Sequence, residues 1–262
     1  MTVFAHWVMD DVNTTAKTCA ARSGAGGTLS LSNVNTLTKV AQSNYALTAG
    51  SSTKRNIAGI NSLISGVPQS TIVSASAAAM FSKHGIFSCD MVVKMVAGLS
   101  FRMNLVNVDD TLYRHRFYVS ILTSNTLRLS PRQYHRSASS SVTSDTTSAR
   151  RDFEFVTPGV CAIDELALLS MEIDASRVNE KGGRVRYRGY LNGEIALDSH
   201  SEDQSYDAWN VAPGTQTFDL VNESSASLNF LSEIMIHNQL HTLGGERARA
   251  RYLRWRQTIL TG

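Results

Sequence analysis

Prolines, cysteines and charges are all scarce in this sequence, and each scarcity excludes something. Four prolines among 262 residues, none of them clustered, leave no Pro-rich linker and no string of small modules. One domain over residues 1–262 is therefore the expectation. Three cysteines, Cys19, Cys89 and Cys161, are odd in number and far apart. That spacing excludes a disulfide framework and a CxxC metal pair, and it leaves reduced, buried thiols. Charged residues make up 18% of the chain and the net charge is only +3. Nucleic acid is not the expected partner, because phosphate binding draws on concentrated Lys and Arg. No segment approaches the roughly 18 apolar residues of a membrane span. The start MTVFAHWVMDD has no basic n-region followed by a long apolar stretch, so synthesis as a soluble cytoplasmic protein, without a membrane partner, is expected.

Hydrophobic residues reach 42%, enough for a sizeable core, and they are mixed with abundant Ser, Thr, Asn and Gly. That mixture suits strands and turns. VFAHWVMD reads as a first strand, TLSLS and NYALTAG as short strands, and the stretches from Phe87 to Val106 and Arg116 to Ser130 as core strands. Residues 137–148, SASSSVTSDTTS, are polar and low in complexity, which predicts an exposed, mobile loop. LALLSMEID places Ala167, Leu169, Met171 and Ile173 on one face and Ser170, Glu172 and Asp174 on the other, the pattern of a half-buried strand. Leu168 breaks its polar side. GRVRYRGYLNGEIALDS reads as a hairpin turning at Asn192-Gly193. TFDLVN and FLSEIMIHN are the last strands, and ERARARYLRWRQTIL closes the chain as a short helix with Ala248, Tyr252, Trp255 and Ile259 at helical spacing.

Taken in order, MEIDAS, RYRGYLNGEIALDS and FLSEIMIHNQLHTLGGERARARY resemble the concanavalin A-like (laminin G-like) lectin and glucanase superfamily. There a strand ending near Asp precedes a Y-x-NG hairpin, a penultimate strand and a helix opened by Glu. Tyr190, Asn192 and Gly193 match the hairpin, Glu246 and Tyr252 the helix, and HWVMDD, with Trp7 and Asp10, looks like the first strand. The resemblance spans residues 160–255 and is looser before them. It implies an all-β, antiparallel jelly-roll β-sandwich with a short C-terminal helix. Sandwiches of this kind also resemble accessory proteins of tailed bacteriophages. That implies a virion location on capsid or tail, other virion proteins as partners, a homo-oligomer, and loops contacting neighbouring subunits or host-surface glycans. A free carbohydrate-binding module and a divergent glycoside hydrolase are the alternatives.

Chemistry is sparse. Superfamily glucanases carry E-x-D acids on one strand, and here Asp152 with Glu154, or Glu172 with Asp174, have that spacing. Retaining glycosidases need carboxyl groups about 5 Å apart, which i, i+2 positions approach. Neither pair has a third acid at the expected position, so a non-enzyme with no catalytic residues is expected. His237 and His241 lie four apart, but the glutamate of HExxH is missing and His237 ends a strand, so no metal site is expected there. No cofactor is required. Calcium, which related domains bind through loop acids, has Asp109, Asp110, Asp198 and Asp203 available, with no set singled out. The loop HSEDQSYDAWN gathers Asp203, Tyr206, Trp209 and Asn210, an aromatic platform beside polar groups that suits a sugar ring. Arg247, Arg251 and Arg254 share a face of the closing helix and are candidates for protein docking.

Overall fold

Short runs in which a large apolar residue alternates with a small or polar one favour extended backbone, since successive side chains leave a strand on opposite faces. The computed structural model describes residues 3–8, 11–13, 15–31, 36–39, 42–46, 54–57, 61–65, 71–78, 86–94, 98–107, 113–121, 126–135, 153–156, 166–174, 186–200, 215–223, 228–237 and 249–254. The early strands are β1 (Val3–Val8), β2 (Val12–Asn13), β3 (Thr18–Ala20), β4 (Ser23–Gly24), β5 (Thr28–Leu31), β6 (Thr36–Lys39), β7 (Gln42–Ala46), β8 (Lys54–Ile57), β9 (Asn61–Ser65) and β10 (Thr71–Ala78). Longer strands follow: β11 (Ile86–Lys94), β12 (Ser100–Asn107), β13 (Tyr113–Ile121), β14 (Thr126–His135), β15 (Phe153–Val156) and β16 (Leu166–Asp174). The last are β17 (Arg186–Leu191), β18 (Glu194–His200), β19 (Thr215–Asn222) and β20 (Leu228–His237). Residues 249–254 form a helix.

The strands build two nine-stranded antiparallel sheets and the small pair β7-β8. Sheet A runs β18-β17-β16-β11-β20-β1-β4, with β9 also on β20 and β6 on β9. Sheet B runs β15-β14-β13-β12-β19-β10-β5-β3-β2. The sheets pack face to face. Phe87 of sheet A lies 6.5 Å from Phe218 of sheet B between ring centroids, and Tyr187 meets Phe117 edge-on at 6.0 Å. Around these rings are Trp7, Leu29, Met91, Phe101, Met103, Met171 and Ile234, all buried. Burying a large apolar side chain contributes about 2 kcal/mol, so this interior is the main source of stability. Gly189 of β17 belongs to the same packing: a Cβ there would sit 2.7 Å from Leu129 Cδ1 of the opposite sheet.

The fold is thus the antiparallel β-sandwich with a short C-terminal helix that the sequence implies, consistent with a concanavalin A-like architecture. Ala167, Leu169, Met171 and Ile173 face the core as their alternation predicts. The other side of β16 departs from expectation: Ser170 is 1% exposed and Glu172 0%, so the strand is buried on both faces. Leu168, which interrupted the polar pattern, is buried with them. Part of the cover is the helix 249–254, which meets the β17-β18 turn. Asn192 (φ 51°) and Gly193 (φ 83°) make that turn, and a Cβ on Gly193 would lie 2.7 Å from Arg249 Cα. Asn192 also ties the turn to β16: its N–H donates to Leu168 O at 2.8 Å, and its Oδ1 accepts from Leu168 N–H at 3.0 Å. The loop expected at 137–148 lies outside the described residues.

Candidate functional site

The outward face of sheet A carries a buried polar layer. Antiparallel register sets Asp90 of β11 opposite Ser170, Ser88 opposite both Glu172 and His237, and Glu172 opposite Arg188. His237 Nε2 lies 3.1 Å from Asp90 Oδ2, and both side chains are 1% exposed. From the helix, Arg251 comes within 3.4 Å of Asp90 and 3.5 Å of Glu233. Glu233 also contacts His6 Nε2 at 2.8 Å. Beside this group, Glu172 accepts hydrogen bonds from Arg188 Nη1 at 3.2 Å and from Tyr190 Oη–H at 3.4 Å. Charges taken out of water are tolerable when paired and hydrogen-bonded in this way. The layer holds carboxylates against cations and fixes the helix to the sheet.

Sheet B presents a different outward face, half-buried rather than sealed. Arg102 of β12 lies 2.8 Å from Glu223, and its guanidinium sits over the Tyr118 ring of β13, 5.6 Å from the centroid. Next along β12, Asn104 donates from Nδ2 to Asp219 Oδ1 of β19 at 2.6 Å. Asn104 is only 8% exposed, and its Oδ1 has no hydrogen-bond partner among the described residues. Donors, acceptors and an aromatic ring therefore interleave on three adjacent strands, with one acceptor left over. Such a surface can hydrogen-bond hydroxyl groups and cover an apolar ring face. Sequence reasoning passed over this face. Its signal is the period-2 alternation in SFRMNLVN and RHRFYVSI, where Arg102, Asn104 and Tyr118 fall between core residues Phe101, Met103, Phe117 and Val119.

The sequence-derived candidates are distributed as follows. The sugar-site residues Asp203, Tyr206, Trp209 and Asn210 lie outside the described residues, as do Arg247, Asp109, Asp110, Asp152 and His241. Arg254 is exposed on the helix, whereas Arg251 turns inward onto Asp90 and Glu233. Asp198 is engaged by Arg186, whose Nε donates to it at 2.7 Å. Glu154 occupies β15 opposite Arg128. Among the described residues no group of three or more His, Cys, Asp or Glu is placed to hold a metal.

Burial and charge also displace several titrations. Burial, helped by nearby Asp11, pushes the Cys19 thiol up to about 11, and burial raises Cys89 well above the usual thiol range. Burial together with Glu172 pushes the Tyr190 phenol up to about 12. The hydrogen bond from Arg22 holds Asp11 below the usual carboxylate range. Both thiols are free and buried, so they have the character of core residues rather than nucleophiles.

No protein-family model matches the sequence, and no curated protein matches it. Several solved structures align with the chain. A Trypanosoma rangeli sialidase in complex with sialic acid aligns over 97% of this chain and 33% of its own, at 9% identity and a TM-score of 0.50. A protein of unknown function from Shewanella oneidensis aligns over 91% of this chain and 89% of its own, at 10% identity and a TM-score of 0.45. A botulinum neurotoxin type C structure aligns over 77% of this chain, at 13% identity and a TM-score of 0.37. The chain spans 48% of that toxin chain. At 9% identity the likeness to the sialidase concerns the fold alone.

Proposed function

We propose that the chain is a non-catalytic, lectin-like protein that binds glycans and serves as a structural component of a tailed-phage particle. The observation that carries the glycan reading is the outward face of sheet B, where Arg102, Tyr118, Asn104, Asp219 and Glu223 interleave. Sugars present hydroxyls that both donate and accept, and an apolar ring face that an aromatic covers. This face offers the complements of each. Against hydrolysis, Glu172 is fully buried and held by Arg188 and Tyr190, so its carboxyl does not flank a substrate bond. The virion location rests on the resemblance to accessory phage sandwiches, and repeated sites on a particle favour a symmetric homo-oligomer.

Two assays test this reading. Binding of the purified protein to a glycan panel is expected, with about tenfold weakening in Tyr118→Ala, the loss expected for one aromatic contact. Absence of binding to any glycan overturns the lectin reading. Co-sedimentation with phage particles from the same source is the second expectation, and its failure overturns the virion assignment. Polysaccharide turnover abolished by Glu172→Gln would make the protein an enzyme. Binding lost in a chelator and restored by calcium would move the site to the loop carboxylates.

A further inference from the structure

The outward face of sheet B also carries a row of short polar side chains that crosses the neighbouring strands β3, β5, β10, β19 and β12. Cys19, Leu29, Ala75, Phe218 and Met103 lie in the core, so the residues beside them, Thr18, Ser30, Ser74, Asp219 and Asn104, leave the sheet on its other side. Register sets these in line: Thr18 opposite Ser30, Ser30 opposite Ser74, Ser74 opposite Asp219, and Asp219 opposite Asn104. With neighbouring strands about 4.8 Å apart, the row is roughly 19 Å long. Ser30 is exposed, and Thr18, Ser74 and Asp219 are half-buried. Asn104 closes the row at 8% exposure. Its Nδ2 donates to Asp219, and its Oδ1 has no hydrogen-bond partner among the described residues. Arg102 and Tyr118, paired with each other one row along, form a taller flank beside that end.

We infer that this row seats an internal stretch of a neutral, linear polysaccharide lying across the strands, with its hydroxyls on Thr18, Ser30, Ser74 and Asp219 and one ring beside Tyr118. The inference rests on the glycan-binding reading and specifies its ligand as a polymer segment rather than a terminal sugar. The spacing of strands is close to the length of one pyranose ring in an extended chain, so successive rings meet successive strands. Ser and Thr hydroxyls donate, accept and rotate, which suits sugar hydroxyls whichever way each points. The charged member of the row is a carboxylate. It accepts from hydroxyls through about four lone-pair positions, one of them used by Asn104, and it repels a uronate. On the flank, the guanidinium of Arg102 is met by Glu223 at 2.8 Å, which neutralises it. At the Asn104 end a sugar hydroxyl supplies the donor that Oδ1 lacks among the described residues.

Titration calorimetry of the full chain with the di- and hexasaccharides of cellulose, mannan and xylan, and with oligogalacturonate, tests it. A neutral hexasaccharide is expected to bind about tenfold or more tightly than its own disaccharide, through the added hydrogen bonds along the row. Thr18→Val with Ser30→Val deletes the hydroxyls at the far end and keeps strand-forming residues there. That variant is expected to weaken the hexasaccharide about tenfold and leave the disaccharide unchanged. Its melting temperature should hold, which separates lost binding from lost folding. Tyr118→Ala should weaken both lengths, and Asp219→Asn should raise the affinity for oligogalacturonate relative to the neutral chains. If the two lengths bind alike and the double variant changes nothing, the row fails as a site while the lectin reading stands. Tighter binding of oligogalacturonate than of every neutral hexasaccharide overturns the neutral assignment. If no glycan binds, both readings fail.

Discussion

Glu172 carries its charge inside the protein, and the consequences of changing it are those of a structural group. Removing one partner of a buried pair leaves the other charge less compensated, so Glu172→Gln is expected to cost about 2 kcal/mol in urea unfolding, with Arg188 left only the more distant Asp198 at 3.9 Å. Sugar affinity should be unchanged. Tyr190 and Cys19 supply a pH dependence whose sign is fixed by their raised folded values. The Tyr190 phenol rises from 10.0 to about 12 and the Cys19 thiol from 9.0 to about 11. Native protein therefore holds these protons more tightly than unfolded chain. Their contribution to stability is full below pH 9.0, and it is lost as pH climbs through the folded values. Melting temperatures measured upward from pH 9.0 should fall, and less steeply in Tyr190→Phe combined with Cys19→Ala. In native protein both described thiols should resist alkylation until denaturant is added.

At the level of elements, the β17-β18 turn is also the seat of the closing helix. Gly193→Ala forces a side chain into a φ of 83° and against Arg249 Cα at 2.7 Å. A loss of about 2 kcal/mol is expected from the combined backbone strain and overpacking. Limited proteolysis should then cut faster in the helix segment 249–254 while sheet B stays intact. The turn itself was legible: Asn-Gly between two alternating runs is a local signal, and local signals survive in a single sequence. So were the core positions of β16, since alternation alone separates its faces. What alternation does not tell is whether the second face meets water or another element. Ser170 and Glu172 read as solvated because nothing nearby announces that a segment some 80 residues later covers them. Leu168 was the clue. Arg251 was assigned outward on a helical wheel because its partners, Asp90 and Glu233, come from distant strands.

Over the whole molecule, the contacts that hold the sheets are long in sequence. β1 pairs with β20, and His6 meets Glu233 across 227 residues. Folds of this kind form slowly, because distant segments must meet before burial rewards them. Calorimetric and near-ultraviolet melts of the intact chain are expected to coincide in a single transition, since one continuous core joins both sheets. Two separated transitions would show that the sheets are not one cooperative unit. Among the described strands, the last two in sequence are not at the edges. β20 lies between β11 and β1 in sheet A, and β19 between β12 and β10 in sheet B. While the ribosome is still translating β18, both sheets therefore lack an interior strand, and the edges of β11, β1, β9, β12 and β10 stand open. A nascent chain stalled at that point offers chaperones and aggregation alike two unfilled slots, so the final strands act as keystones whose arrival decides whether the molecule exists in folded form at all.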